Sequence, residues 1–476
     1  MQQAHFNNLN QHFELPILSH TRHNEQYYRP IPTTIDELQD FLPKTNNYEW
    51  VKKGHSLKHT RTKNKEDKDL YYGIIMDAGS TGTRIFIYEW NKPTDCHDSP
   101  YIVPSIYDSG PKKGKQFKIK KLGGLAEIEP EQVDEYLKDF IGNATEYIPK
   151  SKHARTPIFL KATAGMRLLP RTRSHQLMEN VRNTLKNSGF KFDPKFGAQV
   201  IPGEYEGVFG WLAINYLAGI LGSDDEPDLS HGMLDMGGAS CQITFETPQV
   251  PMENSFPINL NGTSRVVYTH SYLRFGRNEA RLRYHANEIK SLDKGGIFKD
   301  PCFVKGYRGK TGQGVDFEGS GDFTNCVIST RKLMLKDPFC PTMSCAVNGV
   351  YQPDIPKDMK LIAISGMFKV AKWFKCKGKS NIRCLMEKAD SVCSNLNYDE
   401  YLNKYDKWSD DKDIDHYCFM AAYIVNMLNE GYGLALDRDI YFDEEVEGID
   451  VGWTLGAMIY EVNLMFPSGQ CCHPSG

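Results

Sequence analysis

Two short glycine-rich segments, at residues 77–84 and 235–242, constrain the fold of this chain more than any other feature. The first has the sequence Asp-Ala-Gly-Ser-Thr-Gly-Thr-Arg and the second Asp-Met-Gly-Gly-Ala-Ser-Cys-Gln. Each follows an apolar run and leads into a β-rich stretch. The pattern predicts two β-hairpins whose turns offer backbone N–H groups to an anion. Two such loops can face each other and hold a polyphosphate and its metal between two lobes.

A single loop of this kind also fits an ordinary hairpin turn, but two copies that both begin with Asp favour a nucleotide site. Neither copy is followed by Gly-Lys-Ser/Thr or contains G-x-G-x-x-G, so a P-loop and a dinucleotide-binding fold are not indicated. Duplicated hairpin loops point to the superfamily of actin, sugar kinases and chaperone ATPases. We therefore predict an α/β fold with two actin-like, ribonuclease H-like lobes and an active-site cleft between them.

Composition narrows the possible partners. The chain has 476 residues, of which 40% are hydrophobic, enough for two or three domains. The net charge of −3 gives no case for a nucleic-acid partner. The basic stretches at 52–68 and 112–121 lack the interleaved aromatic residues of a single-strand binder and are interpreted as solvated surface. No segment approaches the ~20 apolar residues that span a bilayer.

Cysteine usage indicates an oxidising compartment. Of 12 cysteines, eight lie between residues 302 and 418. Metal ligation is the alternative, weakened by the absence of Cys-x-x-Cys and of nearby His pairs. Two sequons, at Asn143 and Asn261, agree with a glycoprotein in the lumen of the Golgi and endomembrane system or outside the cell. We expect a lumenal chain whose membrane anchor is missing. The short spacing of two cysteine pairs suits disulfides: Cys340/Cys345 and Cys376/Cys384.

Periodicity and turn residues divide the chain into segments. Residues 1–68 are expected to form an irregular stem or tail. Residues 69–203 would form the first lobe, completed by about 440–476, and 204–439 the second lobe. Strands are predicted at 73–77, 84–90, 101–107, 157–163 and 198–203. Helices are predicted at 131–141, 204–221, 268–286, 398–407 and 417–430, around Leu177, Val181 and Leu185, and from 452 onward, with disulfide-stapled loops at 294–350.

Two carboxylates begin the strongest predicted helix, at Glu204 and Glu206. Acidic residues at a helix start complement the helix dipole, and Glu204 is interpreted in this way. Glu206 lies just before the apolar helix face and can project into the cleft. A phosphoanhydride-splitting site needs a general base or a positioned water, so Glu206 is the candidate base.

The phosphates and a metal require their own charged partners. Arg84 and Arg167 each follow a small-residue turn and are candidates for phosphate contacts, with a surface ion pair as the alternative. Asp77 and Asp235 lead the two loops. Paired carboxylates beside a polyphosphate suit Mg²⁺ or Ca²⁺, held through ordered waters, whereas a plain turn role is the alternative.

Five segments in order, at 77–84, 161–167, 203–211, 235–242 and 453–457, are similar to the five apyrase-conserved regions. Over about residues 70–465 the chain therefore resembles the nucleoside triphosphate diphosphohydrolase (apyrase) family. The pattern around 118–120 and 163–170 looks closest to the Golgi and lysosomal branch.

The resemblance implies roles for individual residues. Glu206 would be the catalytic base, Ser240 and Gln242 would help to hold the attacking water, and Asp77 and Asp235 would order the water shell of the metal. The nucleoside end would involve Arg277, Phe368 and Tyr417. The phosphates would be lined by Gly79, Ser80, Thr81, Gly82, Thr83, Arg84, Thr163, Arg167, Gly237, Gly238 and Ala239.

This sequence departs from the family at three places. Family members stack the base between two aromatic residues, but only Phe368 is available in one of the two segments. Cys241 replaces a usual Thr, and Arg274 replaces a usual Cys, so that one family disulfide is missing. The resemblance implies the pairs Cys302–Cys326, Cys340–Cys345 and Cys393–Cys418, to which we add Cys376–Cys384 as our own prediction.

The predicted function is divalent-cation-dependent hydrolysis of nucleoside di- and triphosphates by in-line attack of water, with UDP and GDP of the secretory pathway among the substrates. The alternatives are a sugar-kinase-like phosphotransferase and a nucleotide-binding protein without turnover, both on the same fold. A cytosolic thiol pattern would favour the first alternative and the absence of Glu206 the second.

Overall fold

The first predicted hairpin begins the part of the chain that the computed structural model describes, which is residues 70–91, 100–107, 111–221, 230–260, 263–290, 297–334, 340, 344–404 and 413–465. These residues belong to one unit of the chain, Trp50–Gly476, and the predicted stem at 1–68 lies outside them. Strand β1 (Leu70–Gly79) pairs antiparallel with β2 (Gly82–Asn91). The interior of β1 is buried throughout, as expected for a strand covered on both faces.

Four further strands complete the first sheet: β3 (Val103–Pro104), β4 (Lys118–Leu122), β5 (Ile158–Ala162) and β6 (Ala198–Val200). The order is β3-β2-β1-β5-β6, and β4 also pairs with β2. Strand β5 is parallel to β1, and β6 is parallel to β5. The strand predicted at 101–107 is too long, because β3 covers only two of these residues. Beyond β3, Ser105 and Tyr107 make backbone hydrogen bonds and Ile106 forms an isolated bridge, without continuing the strand.

Four helices belong to this half of the chain: α1 (Val133–Tyr147), α2 (Ala164–Arg167), α3 (Arg171–Lys186) and α4 (Gly203–Leu217). A 3₁₀ turn with Pro130 in its first turn precedes α1, so the α-helix begins later than predicted and runs further. In α3, Leu177, Val181 and Leu185 are all buried, as their spacing predicts. Helix α4 ends four residues before the predicted Leu221.

The second half supplies the remaining strands: β7 (Gly232–Met236), β8 (Ser240–Glu246), β9 (Ser255–Leu260), β10 (Thr263–Leu273), β11 (Phe298–Asp300), β12 (Arg308–Lys310), β13 (Asp316–Gly319), β14 (Leu361–Ser365), β15 (Gly378–Ser380), β16 (Ile440–Phe442), β17 (Glu445–Val446) and β18 (Ile449–Asp450). The large sheet has the order β15-β16-β14-β7-β8-β10-β9. Strands β11, β13 and β12 form a small sheet, and β17 pairs with β18.

The two large sheets repeat one arrangement. In the first, the hairpin β1–β2 is followed by β5 and β6, which extend the sheet from β1 in parallel. In the second, the hairpin β7–β8 is followed by β14 and β16, which extend the sheet from β7 in parallel. This repetition confirms the prediction that the second half repeats the strand–turn–strand logic of the first.

The later helices are α5 (Arg277–Lys290), α6 (Phe323–Arg331), α7 (Gly366–Trp373), α8 (Ile382–Cys393), α9 (Tyr398–Lys404), α10 (Tyr417–Asn426) and α11 (Trp453–Met465). The helix predicted at 268–286 is wrong in its first part, because Tyr268–Leu273 pairs with β8 as a strand. The region 294–350 holds the small sheet and α6 as well as loops. The π-helical turn Met427–Gly431 continues α10. None of the described helices is both long and apolar enough to cross a bilayer.

All four predicted disulfides are present: Cys302–Cys326, Cys340–Cys345, Cys376–Cys384 and Cys393–Cys418. They lie between β11 and α10, where they join the helices and loops that pack on the second sheet. Cys241 is buried with a free thiol.

The last helix links the two halves. Helix α11 packs against α4 and contacts β1 and β2. A Cβ atom on Gly456 would lie 1.8 Å from the carbonyl oxygen of Phe209, so only glycine allows this approach. A buried ion pair of 2.8 Å joins Lys161 Nζ on β5 to Glu461 Oε1 on α11.

Candidate active site

The two glycine-rich turns face each other. A Cβ atom on Gly238 would lie 2.6 Å from Ser80 Oγ and 2.7 Å from Thr81 Cγ2. The turn of the first sheet therefore approaches the turn of the second sheet closely, and glycine at 238 leaves the gap open. This is the arrangement that the two loops predict.

Both turns present unused backbone donors. Within the described part of the chain, no hydrogen bond is donated by the backbone N–H groups of Ser80, Thr81, Gly238 or Ala239. The carbonyls of Gly237 and Gly238, in contrast, accept from Arg277 and Asn278 at the start of α5, at 3.0 and 2.9 Å. The start of α5 thus holds the second turn through its carbonyl groups, and the N–H groups of the turn remain available to an anion.

Two glycines allow α4 to lie flat on the second sheet. A Cβ atom on Gly203 would be 2.0 Å from Ser271 Oγ, and one on Gly207 would be 2.5 Å from Thr244 Oγ1. Because these glycines are one helical turn apart, the whole first turn of α4 rests against β8 and β10. Glu206 lies in that turn and is directed to Gln242.

The Glu206 carboxylate is held through one oxygen. Arg167 Nη2 donates to Glu206 Oε2 at 3.0 Å, and Gln242 Nε2 donates to the same atom at 2.9 Å. Gln242 Nε2 also contacts Ser240 Oγ at 2.8 Å and Ser271 Oγ at 3.1 Å. Among the described residues Oε1 has no hydrogen-bond partner, so this oxygen is available to accept from a water.

Burial raises the pKa of the Glu206 carboxyl group. The Glu206 side chain is buried, and burial raises its pKa to about 7 against the opposing effect of Arg167. The carboxylates of Asp77 and Asp235 add to the rise. A general base is most effective with a pKa near the working pH, and Glu206 has this property at neutral pH.

Asp77 and Asp235 have unequal partners. Arg84 Nη1 pairs with Asp77 Oδ2 at 3.0 Å, whereas Asp235 Oδ1 is buried without a hydrogen-bond partner in the described part of the chain. Burial raises the pKa of both carboxyls, that of Asp235 to about 6, and Asp77 contributes to the rise at Asp235. Two buried carboxylates, one with an orphaned oxygen, fit a hard cation or its water shell.

The cleft between the sheets has a volume of about 270 Å³ and receives residues from both halves. Thirteen of the predicted site residues line it: Asp77, Gly79, Ser80, Thr81, Arg84, Thr163, Glu206, Asp235, Gly237, Gly238, Ala239, Ser240 and Gln242. Arg277 lines it as well and pairs with Asp413. Arg167 reaches the site through Glu206 and through Ser240 Oγ, at 3.2 Å.

Besides Arg167, four predicted site residues do not line the cleft. The Thr83 hydroxyl accepts from Tyr136 Oη at 2.7 Å, on the face of β2 opposite to Arg84. A Cβ atom on Gly82 would meet the carbonyl oxygen of Lys121 at 2.4 Å, so this glycine serves the packing of β4. Phe368 is buried in α7, and Tyr417 is buried with its ring stacked on Trp373 at 4.9 Å. Neither aromatic residue belongs to the described cleft lining, and their role at the nucleoside end stays a prediction.

Several residues that line the cleft were not predicted from the sequence. Lys118, Lys120 and Lys369 line the cleft, although the stretch 112–121 was expected to be solvated surface. Because β4 pairs with β2 in the register Arg84↔Lys120, alternate lysines of β4 share the face of Arg84. Ser365 also lines the cleft, with a φ of 54°, a strained backbone of the kind that collects at functional sites.

Within the described residues no group of three or more His, Cys, Asp or Glu side chains is placed to hold an ion directly. The two loop carboxylates offer oxygen ligands of the kind that suit a hydrated hard cation.

Two repeated sheets, two facing turns with unused backbone donors and a buried carboxylate that accepts from the Gln242 amide are the arrangement expected of an enzyme that cleaves phosphoanhydrides. The profile of the GDA1/CD39 (nucleoside phosphatase) family matches residues 62–470. Mouse ectonucleoside triphosphate diphosphohydrolase 1 is 33% identical over 455 residues, covering 87% of this chain and 85% of its own length. The Golgi apyrase of Schizosaccharomyces pombe is 31% identical over 432 residues, covering 82% and 74%.

The chain belongs to the GDA1/CD39 nucleoside phosphatase family, which is an enzyme family of nucleoside triphosphate diphosphohydrolases and apyrases. A solved nucleoside triphosphate hydrolase from Neospora caninum shares the fold, with a TM-score of 0.59, 14% identity and coverage of 83% of this chain and 93% of its own. The predicted α/β fold and the predicted enzyme class are confirmed. Relatives named as ecto- and Golgi enzymes stand at similar identity, at 33% and 31%.

Proposed function

We propose that this enzyme hydrolyses nucleoside di- and triphosphates to lower phosphates and orthophosphate, with Glu206 as the base that activates water. The observation that carries the proposal is the Glu206 carboxylate, which is fixed through Oε2 by Arg167 and Gln242. A water that donates to Oε1 would lie beside Ser240 and Gln242. The carboxylate would take the proton as the water oxygen attacks the terminal phosphorus in line with the leaving oxygen.

The two turns would hold the phosphates. The unused N–H groups of Ser80, Thr81, Gly238 and Ala239 offer donors from both sheets. Donors that are fixed in place before the reaction stabilise the charge that develops on the transferred phosphoryl group. Arg84 and Thr163 line the same cleft and would add to the cradle.

Asp77 and Asp235 would hold a magnesium or calcium ion through its water shell. Such an ion, when bound, would neutralise negative charge on the phosphates. The orphaned Asp235 Oδ1 and the raised pKa values of both carboxyls support this assignment. We therefore expect divalent-cation dependence.

Broad base specificity is part of the proposal, with UDP and GDP as substrates in the secretory pathway. Phe368 and Tyr417 are buried away from the cleft, so purine stacking would contribute little. The four disulfides support an oxidising compartment. A lumenal enzyme of the Golgi or lysosomal type remains our hypothesis for the location.

The test is phosphate release from ATP, ADP, UTP, UDP, GDP and CDP, each with magnesium or calcium and each with EDTA. We expect release from all six only when a divalent cation is present, with UDP within about tenfold of ATP in kcat/KM, or ~1.4 kcal/mol. Lack of release from every nucleotide would refute the proposed function. An ATP preference above tenfold would refute only the claim of broad specificity.

A further inference from the structure

One end of the cleft carries a cluster of cations from three separate elements. Lys120 lies on β4, Arg277 begins α5, and Lys369 lies in the first turn of α7. All three line the cleft. Helix starts and strand register bring them together, since Lys120 is paired with Arg84 beside the first turn and Arg277 donates its backbone N–H to Gly237 of the second.

Two of these cations have no ion-pair partner among the described residues. Arg277 pairs with Asp413, and Arg84 pairs with Asp77. Lys120 and Lys369, in contrast, make no ion pair or hydrogen bond with any residue that the structure describes. Burial lowers the pKa of both lysines, and the neighbouring cations add to this effect against the opposing carboxylates of Asp413 and, at Lys369, of Glu444. An anion placed here would relieve their repulsion.

Among the described residues that line the cleft, no aromatic ring has an exposed face. The aromatic residues of the cleft are Phe86, Tyr88 and Trp453, which are 8%, 1% and 9% exposed. A nucleobase stacks only on an accessible ring. Charge is therefore the recognition element that the described cleft offers beyond the two turns.

We propose that Lys120 and Lys369, together with Arg277, form an anion subsite that recognises the polyphosphate chain itself, so that the enzyme binds and hydrolyses inorganic tripolyphosphate. This inference rests on the proposed function, because the same base and the same turns carry out the cleavage. Water attacks a terminal phosphorus and loses its proton to Glu206. The bond from that phosphorus to the bridging oxygen breaks, and the products are orthophosphate and pyrophosphate.

The experiment measures kcat/KM of the full chain for tripolyphosphate, ATP and UDP, with magnesium in excess over all phosphates and pyrophosphate detected by ion chromatography. We expect tripolyphosphate within about tenfold of ATP, because the described lining of the cleft offers cations and no accessible ring, so that the phosphates supply most of the binding energy. Tripolyphosphate that is neither cleaved nor competitive at a hundred times the KM of ATP would overturn the inference. Normal turnover of ATP and UDP in that case would leave the proposed function standing.

Variants separate the subsite from the catalytic residues. The double variant Lys120→Gln/Lys369→Gln should lower kcat/KM for tripolyphosphate about tenfold or more and for UDP less, since UDP carries fewer charges. Lys369→Arg should retain activity because it keeps the charge. The control is Lys372→Gln, an exposed lysine on the same helix that does not line the cleft. Equal losses for tripolyphosphate and UDP, or equal losses in the control, would overturn the assignment.

Discussion

Glu206→Gln should abolish phosphate release and at the same time stabilise the protein at high pH. Gln keeps the size of the side chain and its contact with Arg167 but cannot accept the proton of water. Loss of a general base costs roughly 10²–10⁴-fold in rate. The affinity for nucleotides should remain, because the turns and the cation do not depend on Glu206.

The stability effect follows from the pKa of Glu206. Burial raises this pKa from 4.5 to about 7, so the folded chain holds the proton more tightly than the unfolded chain. The stabilisation is fully present below pH 4.5 and is lost as the pH rises through about 7. At ~1.4 kcal/mol per pKa unit, the loss approaches about 3 kcal/mol as an upper limit. Gln does not ionise and does not incur this loss.

The assay is the melting temperature of both proteins from pH 5 to pH 8 in EDTA, so that no cation compensates the buried charge. The variant should gain on the wild type by several degrees between these values. Glu204→Gln, in the same helical turn but partly exposed, is the matched control for the change from Glu to Gln. A pH-independent difference in melting temperature would refute the burial argument, and retention of more than about a tenth of the wild-type rate would refute the role of Glu206 as the base.

Further outcomes follow from single contacts. Phosphate release should rise with pH as Glu206 loses its proton, with a midpoint below about 7 when a divalent cation is bound, because the cation favours the carboxylate; a pH–rate profile checks this. Asp235→Asn should raise the magnesium concentration for half-maximal rate roughly tenfold or more, as measured by metal titration. Gly456→Ala should lower the free energy of unfolding by about 1–3 kcal/mol or more, because the added Cβ meets Phe209; denaturant unfolding measures it. Non-reducing peptide mapping should recover the four disulfides, and replacing Cys302 and Cys326 by Ser should cost about 2–5 kcal/mol.

The features that could be predicted from the sequence are those whose signal is local. Each glycine-rich turn lies within a few residues of its Asp and its flanking strands, so the hairpins follow from short-range pattern alone. The same is true of Glu206 at the start of α4. Three disulfide pairs came from the family resemblance, and the pair Cys376–Cys384 came from spacing.

The missed residues depend on pairings that lie far apart in the chain. Lys120 enters the cleft only because β4 pairs with β2 across more than thirty intervening residues. A stretch of lysines with little apolar pattern gives no local indication of that pairing. Tyr268–Leu273 contains residues that suit either element, and its pairing with β8 decides in favour of a strand.

The orientation of Thr83 could have been predicted from the sequence, whereas that of the residues on α7 could not. Side chains alternate between the two faces of a strand, so Arg84, Phe86 and Tyr88 share the cleft face of β2 and Thr83 must lie on the opposite face. On α7, the neighbouring residues Phe368 and Lys369 differ in whether they reach the cleft. The helix begins at Gly366, and its first turn directs Lys369 to the cleft while Phe368 is buried. Strand alternation could have excluded Thr83, but the rotation of α7 depends on its packing against the sheet.

The cleft contains both a carboxylate oxygen and ammonium groups that lack a partner among the described residues. Asp235 leaves a buried oxygen without a partner on one side, and Lys120 and Lys369 leave two ammonium groups without partners in the described chain on the other. A cation alone would satisfy the carboxylates, and an anion alone would satisfy the lysines. A metal–polyphosphate complex carries both charges in one ligand, and the cleft is therefore complementary to that complex more than to either component.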